Sequence, residues 1–140
     1  MNNQELKQKL VQDIYVVIMD MHKTTGYSKF TTNESKIIEM IKDRLNTGFV
    51  YFDGECLLMG NVFTPWFSDD ICASDTLLYT LKGSRGKGLA KIAVKSFIKW
   101  AKELGSVEIS FGQTTGVNEK EFNKMAESLD LKKIGAVYYV

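Results

Sequence analysis

The 140-residue chain reads as an α/β protein, a mixed sheet covered by helices, in the element order ααβββαβαβ. Two helical periodicities come first, a hairpin signal follows them, and the second half alternates strand with helix in the manner of crossover-linked parallel strands. A chain of this length buries roughly two-thirds of its unfolded surface, so a single domain over residues 1–140 can hold its own core.

Leu6, Leu10, Val11, Ile14, Val17, Ile18 and Met21 recur at helical spacing and predict an opening helix that ends near Thr24-Thr25-Gly26. Ile37, Ile38, Ile41 and Leu45 predict a second helix, starting near Thr32-Asn33, with Gly48 expected as its left-handed C-terminal residue. Phe49 to Phe52 and Leu57 to Phe63 are β-prone runs separated by Asp53-Gly54, a dipeptide suited to a tight hairpin, so they should pair antiparallel. Pro65 closes the second run, and Ile71 to Leu81 makes a third strand. From Gly86 to Leu104 the pattern is helical, with Leu89, Ala93, Phe97, Trp100, Ala101 and Leu104 on one face. Lys91, Lys95 and Lys99 step along another face, which reads as solvated helix surface. Val107 to Phe111 follows as a strand, parallel to the third and near it because a helix connects them. Phe122, Met125, Ala126 and Leu129 mark a short last helix, and Ile134 to Val140 a terminal strand.

Composition excludes several functions. Lys+Arg 18 against Asp+Glu 17 gives a net charge of +1, which argues against a nucleic-acid partner. No run is long enough to span a membrane, and Met1-Asn2-Asn3-Gln4-Glu5 lacks the regions of a secretion signal, so a cytoplasmic protein without a membrane partner is expected. Cys56 and Cys72 form no CxxC and the chain has one histidine, so no metal site is expected and both cysteines read as free thiols.

The feature that points to function is Arg85-Gly86-Lys87-Gly88-Leu89-Ala90, set between a strand and an amphipathic helix. Glycines let the backbone approach a ligand, and the helix start offers unpaired N–H groups and a positive dipole end, so an anion belongs there. A Walker loop would need Ser or Thr after Gly86-Lys87, where Gly88 stands; the dinucleotide pattern GxGxxG would need Gly where Lys91 stands. What remains is Arg-x-x-Gly-x-Ala, satisfied by Arg85, Gly88 and Ala90.

At these residues the chain resembles the GNAT-type N-acetyltransferases, whose signature Gln/Arg-x-x-Gly-x-Gly/Ala lies at the strand-to-helix turn holding the coenzyme A pyrophosphate. The resemblance covers nearly the whole chain and implies a GNAT-like fold with early antiparallel hairpins and a central parallel β-α-β unit. Met21-His22, Trp66-Phe67-Ser68-Asp69 and the closing Gly135-Ala136-Val137-Tyr138-Tyr139 are similar to short phage-encoded members of this superfamily. The resemblance implies acetyl-CoA as cofactor, and a small-molecule or protein amine as acceptor. It further implies that Leu78, Tyr79 and Thr80 pair their backbone with the pantetheine arm, and that Arg85, Gly86, Lys87, Gly88, Leu89, Ala90 and Lys91 hold the phosphates. Asn118, one residue off the family's spacing, matches the Asn that starts the last helix and joins the coenzyme-binding set.

Acetyl transfer needs a neutral amine, a polarised carbonyl and a proton for the departing thiolate. The family's usual proton donor is a tyrosine in the last helix, and here that position is Ala126, with Asp130 in place of a following glycine. Asp75 is a candidate proton relay, His22 a candidate base between the first helices, and Tyr79, Tyr138 and Tyr139 are candidate acids. Phe63, Trp66 and Phe67 are expected in the core; if exposed, they would wall the acceptor groove or form a homodimer contact. The alternative to an enzyme is a non-catalytic GNAT-like protein that binds coenzyme A or serves a structural or partner-binding role.

Overall fold

The computed structural model describes residues 1–112, 119–135, 138 and 140. Its elements are α1 (Asn3–Thr24), a 3-10 turn (Gly26–Lys29), α2 (Glu34–Thr47), β1 (Phe49–Phe52), β2 (Cys56–Phe63), β3 (Cys72–Thr80), a 3-10 turn (Lys82–Ser84), α3 (Leu89–Glu103), β4 (Glu108–Ser110) and α4 (Glu119–Ser128). The sheet order is β1-β2-β3-β4, antiparallel across the first two pairs and parallel between β3 and β4. This is the mixed sheet expected from the order of elements. The expected terminal strand is not seen at Ile134, Gly135, Tyr138 and Val140; Ala136, Val137 and Tyr139 lie outside the described residues.

Alternation along β2 divides the core. Leu57 and Met59 join Val11, Ile14, Ile18 and Ile41 on the α1/α2 face, while Cys56 and Leu58 join Ala93, Val94 and Phe97 on the α3 face, against which Met125 of α4 and Leu129 just beyond it also pack. Both cysteines are buried free thiols. No helix among the described residues is long and apolar enough to cross a membrane.

β3 breaks the alternation once. Met59 pairs with Leu77 and Gly60 with Asp75, which leaves Thr76 as an extra residue, a β-bulge. The consequence is visible in the core: Ala73 packs on the α3 face, yet Leu77, four residues on, packs on the α1/α2 face. An even step keeps the same face in a regular strand, so the inserted residue has turned the rest of β3 over. Arg44 Nε on α2 donates to Thr76 Oγ1 at 3.0 Å and holds the bulge.

Three local expectations are corrected. Gly48 is not left-handed, with φ −113°; it is needed because a Cβ there would lie 2.6 Å from the Gly60 carbonyl oxygen. α3 begins at Leu89 rather than Gly86, because the left-handed Gly88 (φ 76°) ends the loop. Phe63, Trp66 and Phe67 are 44%, 95% and 72% exposed instead of core: Phe63 is the last residue of β2, and the turn in which Ser68 N–H donates to the Pro65 carbonyl carries the other two past its end.

Gly60 lies under the Phe97 ring and its Cβ would run into that ring and stand 2.9 Å from the Ser74 carbonyl oxygen. Gly60→Ala is therefore expected to destabilise the protein by about 1–3 kcal/mol, the usual range for overpacking, measured by urea unfolding. An unchanged midpoint would mean that Phe97 has room to move.

Candidate functional site

β4 pairs with β3 only over Cys72–Ser74. From Asp75 to Thr80 that edge of β3 has no strand partner among the described residues, and all six of these residues line a cleft of about 690 Å³. α4 forms part of the opposite wall through Phe122 and Met125, and the start of α3 closes one end through Gly86, Gly88, Leu89, Ala90 and Lys91. Among the described residues β4 ends at Ser110, and pairing with β3 ends there with it. Main-chain groups left free where parallel strands part can accept an extended ligand as if it were another strand.

The helix start at the cleft differs from two others. α1 and α2 are capped by the side chains of Asn2 and Asn33, whereas α3 has Gly88 at its cap, no side-chain hydrogen bond and no acidic residue in its first turn. Its leading N–H groups have no intrahelical acceptor, and they carry the positive end of a 15-residue helix dipole. Gly86 and Gly88 have φ of 84° and 76°, with no atom within 4 Å of an added Cβ, so here glycine is required by conformation and the space before it is open.

The loop before α3 is held from the β1–β2 hairpin by a residue that sequence reasoning missed. Glu55 accepts from Ser84 Oγ at 2.9 Å, lies 3.8 Å from Lys87 Nζ, and receives the Leu81 N–H on its carbonyl at 2.9 Å. Lys87 is thus turned to Glu55 and does not line the cleft. Arg85 donates from Nε to the Thr80 carbonyl at 3.0 Å, and its guanidinium stands 5.5 Å from the Tyr79 ring centre.

Asp75 sits where β3 and β4 part. Its Oδ1 accepts the Gly112 N–H at 3.0 Å, and burial raises its carboxyl above the ordinary carboxylate range, with the Gly112 bond opposing. Tyr79 donates to Asp20 Oδ2 at 2.7 Å and lies 2.8 Å from Thr24 Oγ1; burial, joined by the Asp20 carboxylate, raises its phenol. Its proton is therefore directed at α1. His22 is in the last turn of α1, with Nε2 2.7 Å from the Phe30 carbonyl. A carbonyl only accepts, so Nε2 carries a proton there, and the ring does not line the cleft. Tyr138 is exposed, while Tyr139 and Asn118 lie outside the described residues. The cleft thus gathers Asp75, Leu78, Tyr79, Thr80, Arg85, Gly86, Gly88, Leu89, Ala90 and Lys91, and leaves out Lys87 and His22.

No protein-family model and no curated protein sequence matches the chain. Solved structures do. Ribosomal-protein-alanine N-acetyltransferase from Brucella melitensis biovar Abortus 2308 superposes with a TM-score of 0.66 at 12% identity, over 93% of this chain and 89% of that one. AAC(6')-Iy in complex with the bisubstrate analogue CoA-S-monomethyl-acetylneamine gives 0.65 at 11%, over 100% and 92%. The chain has the GNAT fold. A third structure, an aminoglycoside acetyltransferase from an uncultured soil metagenomic sample in complex with sisomicin, gives 0.64 at 14%, over 93% and 89%. These three structures are of acetyltransferases, and they lend no support to the phage likeness of the Met21-His22 and Trp66-Phe67 segments.

Proposed function

We propose that this GNAT-fold protein is an acetyl-CoA-dependent N-acetyltransferase acting on a primary amine. The observation that carries the reading is the meeting, in one cleft, of an open β3 edge and an uncapped α3 start. The edge from Leu78 to Thr80 suits the amide groups of a pantetheine arm, and the N–H groups from Gly88 to Lys91 suit a pyrophosphate. A thioester held there supplies the activated acetyl group. Asp75 takes the proton that the amine releases on attacking the carbonyl, directly or through one water, while the electron pair of the broken C–S bond leaves on sulfur. Oδ1 is engaged by Gly112, so Oδ2 receives that proton. A raised pKa makes Asp75 a stronger base than an ordinary carboxylate.

Ala126 supports a second reading, a coenzyme A binder without turnover, because α4 offers no tyrosine at that position. Both readings require binding. Acetyl-CoA at a hundredfold over its Kd is expected to stabilise the fold by about 2.7 kcal/mol, seen as a rise in Tm. No shift at millimolar coenzyme would remove both readings, whereas a shift without amine-dependent thiol release would leave only the binder.

A further inference from the structure

Away from the phosphate loop, the cleft is walled by Ile18 and Met21 of α1, Met40 of α2, Leu77 of β3, and Phe122 and Met125 of α4. The bulge at Thr76 is what turns Leu77 towards α1 and α2. Against this apolar wall stand two carboxylates among the described lining residues, Asp75 and Glu121. Glu121 is an exposed side chain on α4, 3.8 Å from Lys124 Nζ. Asp20 accepts the Tyr79 phenol. The residues outside the described set, 113–118, 136, 137 and 139, include no aspartate or glutamate, so they add no acid to the cleft.

From this charge pattern we infer that the acceptor is a small primary monoamine with an apolar body, an alkylamine or arylalkylamine, and not a polycation; the inference rests on the acetyltransferase reading above. Asp75 serves the one nitrogen that reacts. Any further ammonium group of a polyamine drawn against these methionine and leucine side chains would give up its hydration, and the one other lining carboxylate, the exposed and Lys124-paired Glu121, is poorly placed to offset that cost. An apolar body gains from the same burial, and the unbranched Met21, Met40 and Met125 adapt to its shape.

The test uses the full chain with acetyl-CoA and reads thiol release against hexylamine, phenethylamine, spermidine, sisomicin and an alanine-first tripeptide. Hexylamine and phenethylamine are expected to show kcat/KM at least about tenfold above the other three, a difference of about 1.4 kcal/mol in transition-state binding. Met40→Glu should narrow or reverse that ranking while keeping the Tm rise with acetyl-CoA, which also reports that the variant folds. An absent Tm rise in the unaltered protein overturns the acetyltransferase reading and this inference with it. A normal Tm rise with spermidine, sisomicin or the tripeptide turned over equally well or better overturns this inference alone, whereas a normal Tm rise with no amine turned over leaves only the coenzyme binder and removes this inference together with the acetyltransferase reading.

Discussion

Asp75→Asn is expected to lower kcat/KM for amine acetylation by about 10²–10⁴-fold, the usual worth of a positioned general base, and to make the folded protein more stable at neutral pH. The two effects have one origin. Burial holds the carboxyl of Asp75 above its ordinary pKa of 3.8, so the folded chain binds its proton more tightly than the unfolded chain does. Stability rises with pH only where the unfolded state holds more protons; here the folded state holds more, so stability falls as pH climbs from near 3.8 through the raised value. Below that window acid and amide are both neutral and the variant should match the parent. Above it the parent carries a desolvated charge and the variant does not. Asn keeps an Oδ1 that can accept the Gly112 N–H, so the hydrogen bond at 3.0 Å need not be lost. Urea unfolding at acid and neutral pH checks the first half, and thiol release checks the second. In the parent, the acid limb of kcat/KM should fall with an apparent pKa above 3.8. A variant that is less stable at neutral pH, or as active as the parent, would leave Asp75 a structural carboxylate.

The parts of this site that were legible in the sequence are the local ones. Strand, glycine turn and amphipathic helix lie within consecutive residues, so Thr80, Gly86, Gly88 and Ala90 announce their arrangement by order alone. Contacts between distant segments carry no such signal. Glu55 reaches the loop from a hairpin some thirty residues earlier, and Asp20 meets Tyr79 from the other end of the fold. The bulge leaves no trace that periodicity could catch: with Ala73 on one face, a regular strand would put Leu77 on that face and Leu78 opposite, and two adjacent leucines admit either phase. Gly48 shows the reverse failure, a local rule for helix ends applied where tertiary approach to Gly60 decides the residue. His22 looked suited to base work by its chemistry, but the adjoining 3-10 turn brings the Phe30 carbonyl to its ring.

Gly88→Val is expected to abolish the Tm rise with acetyl-CoA while leaving a folded protein. Gly88 has φ 76°, and a β-branched residue strongly avoids that region. Holding valine there costs about 1–3 kcal/mol, roughly two to five times the thermal energy, so the turn relaxes to negative φ and the first N–H groups of α3 swing away from the cleft. An added Cβ meets no atom within 4 Å, so the core is not disturbed and the fall in unfolding free energy should not exceed that strain. Gly83 supplies the control. It shares the loop and its open surroundings but its φ is not positive, so Gly83→Ala should keep both stability and the coenzyme response. If Gly88→Val retains the full rise in Tm, the phosphates are held elsewhere and the uncapped start of α3 is not the anion site. If both variants lose it, the loop needs flexibility rather than the left-handed turn at Gly88. Loss confined to Gly88→Val ties coenzyme binding to the one backbone conformation that aims those N–H groups into the cleft.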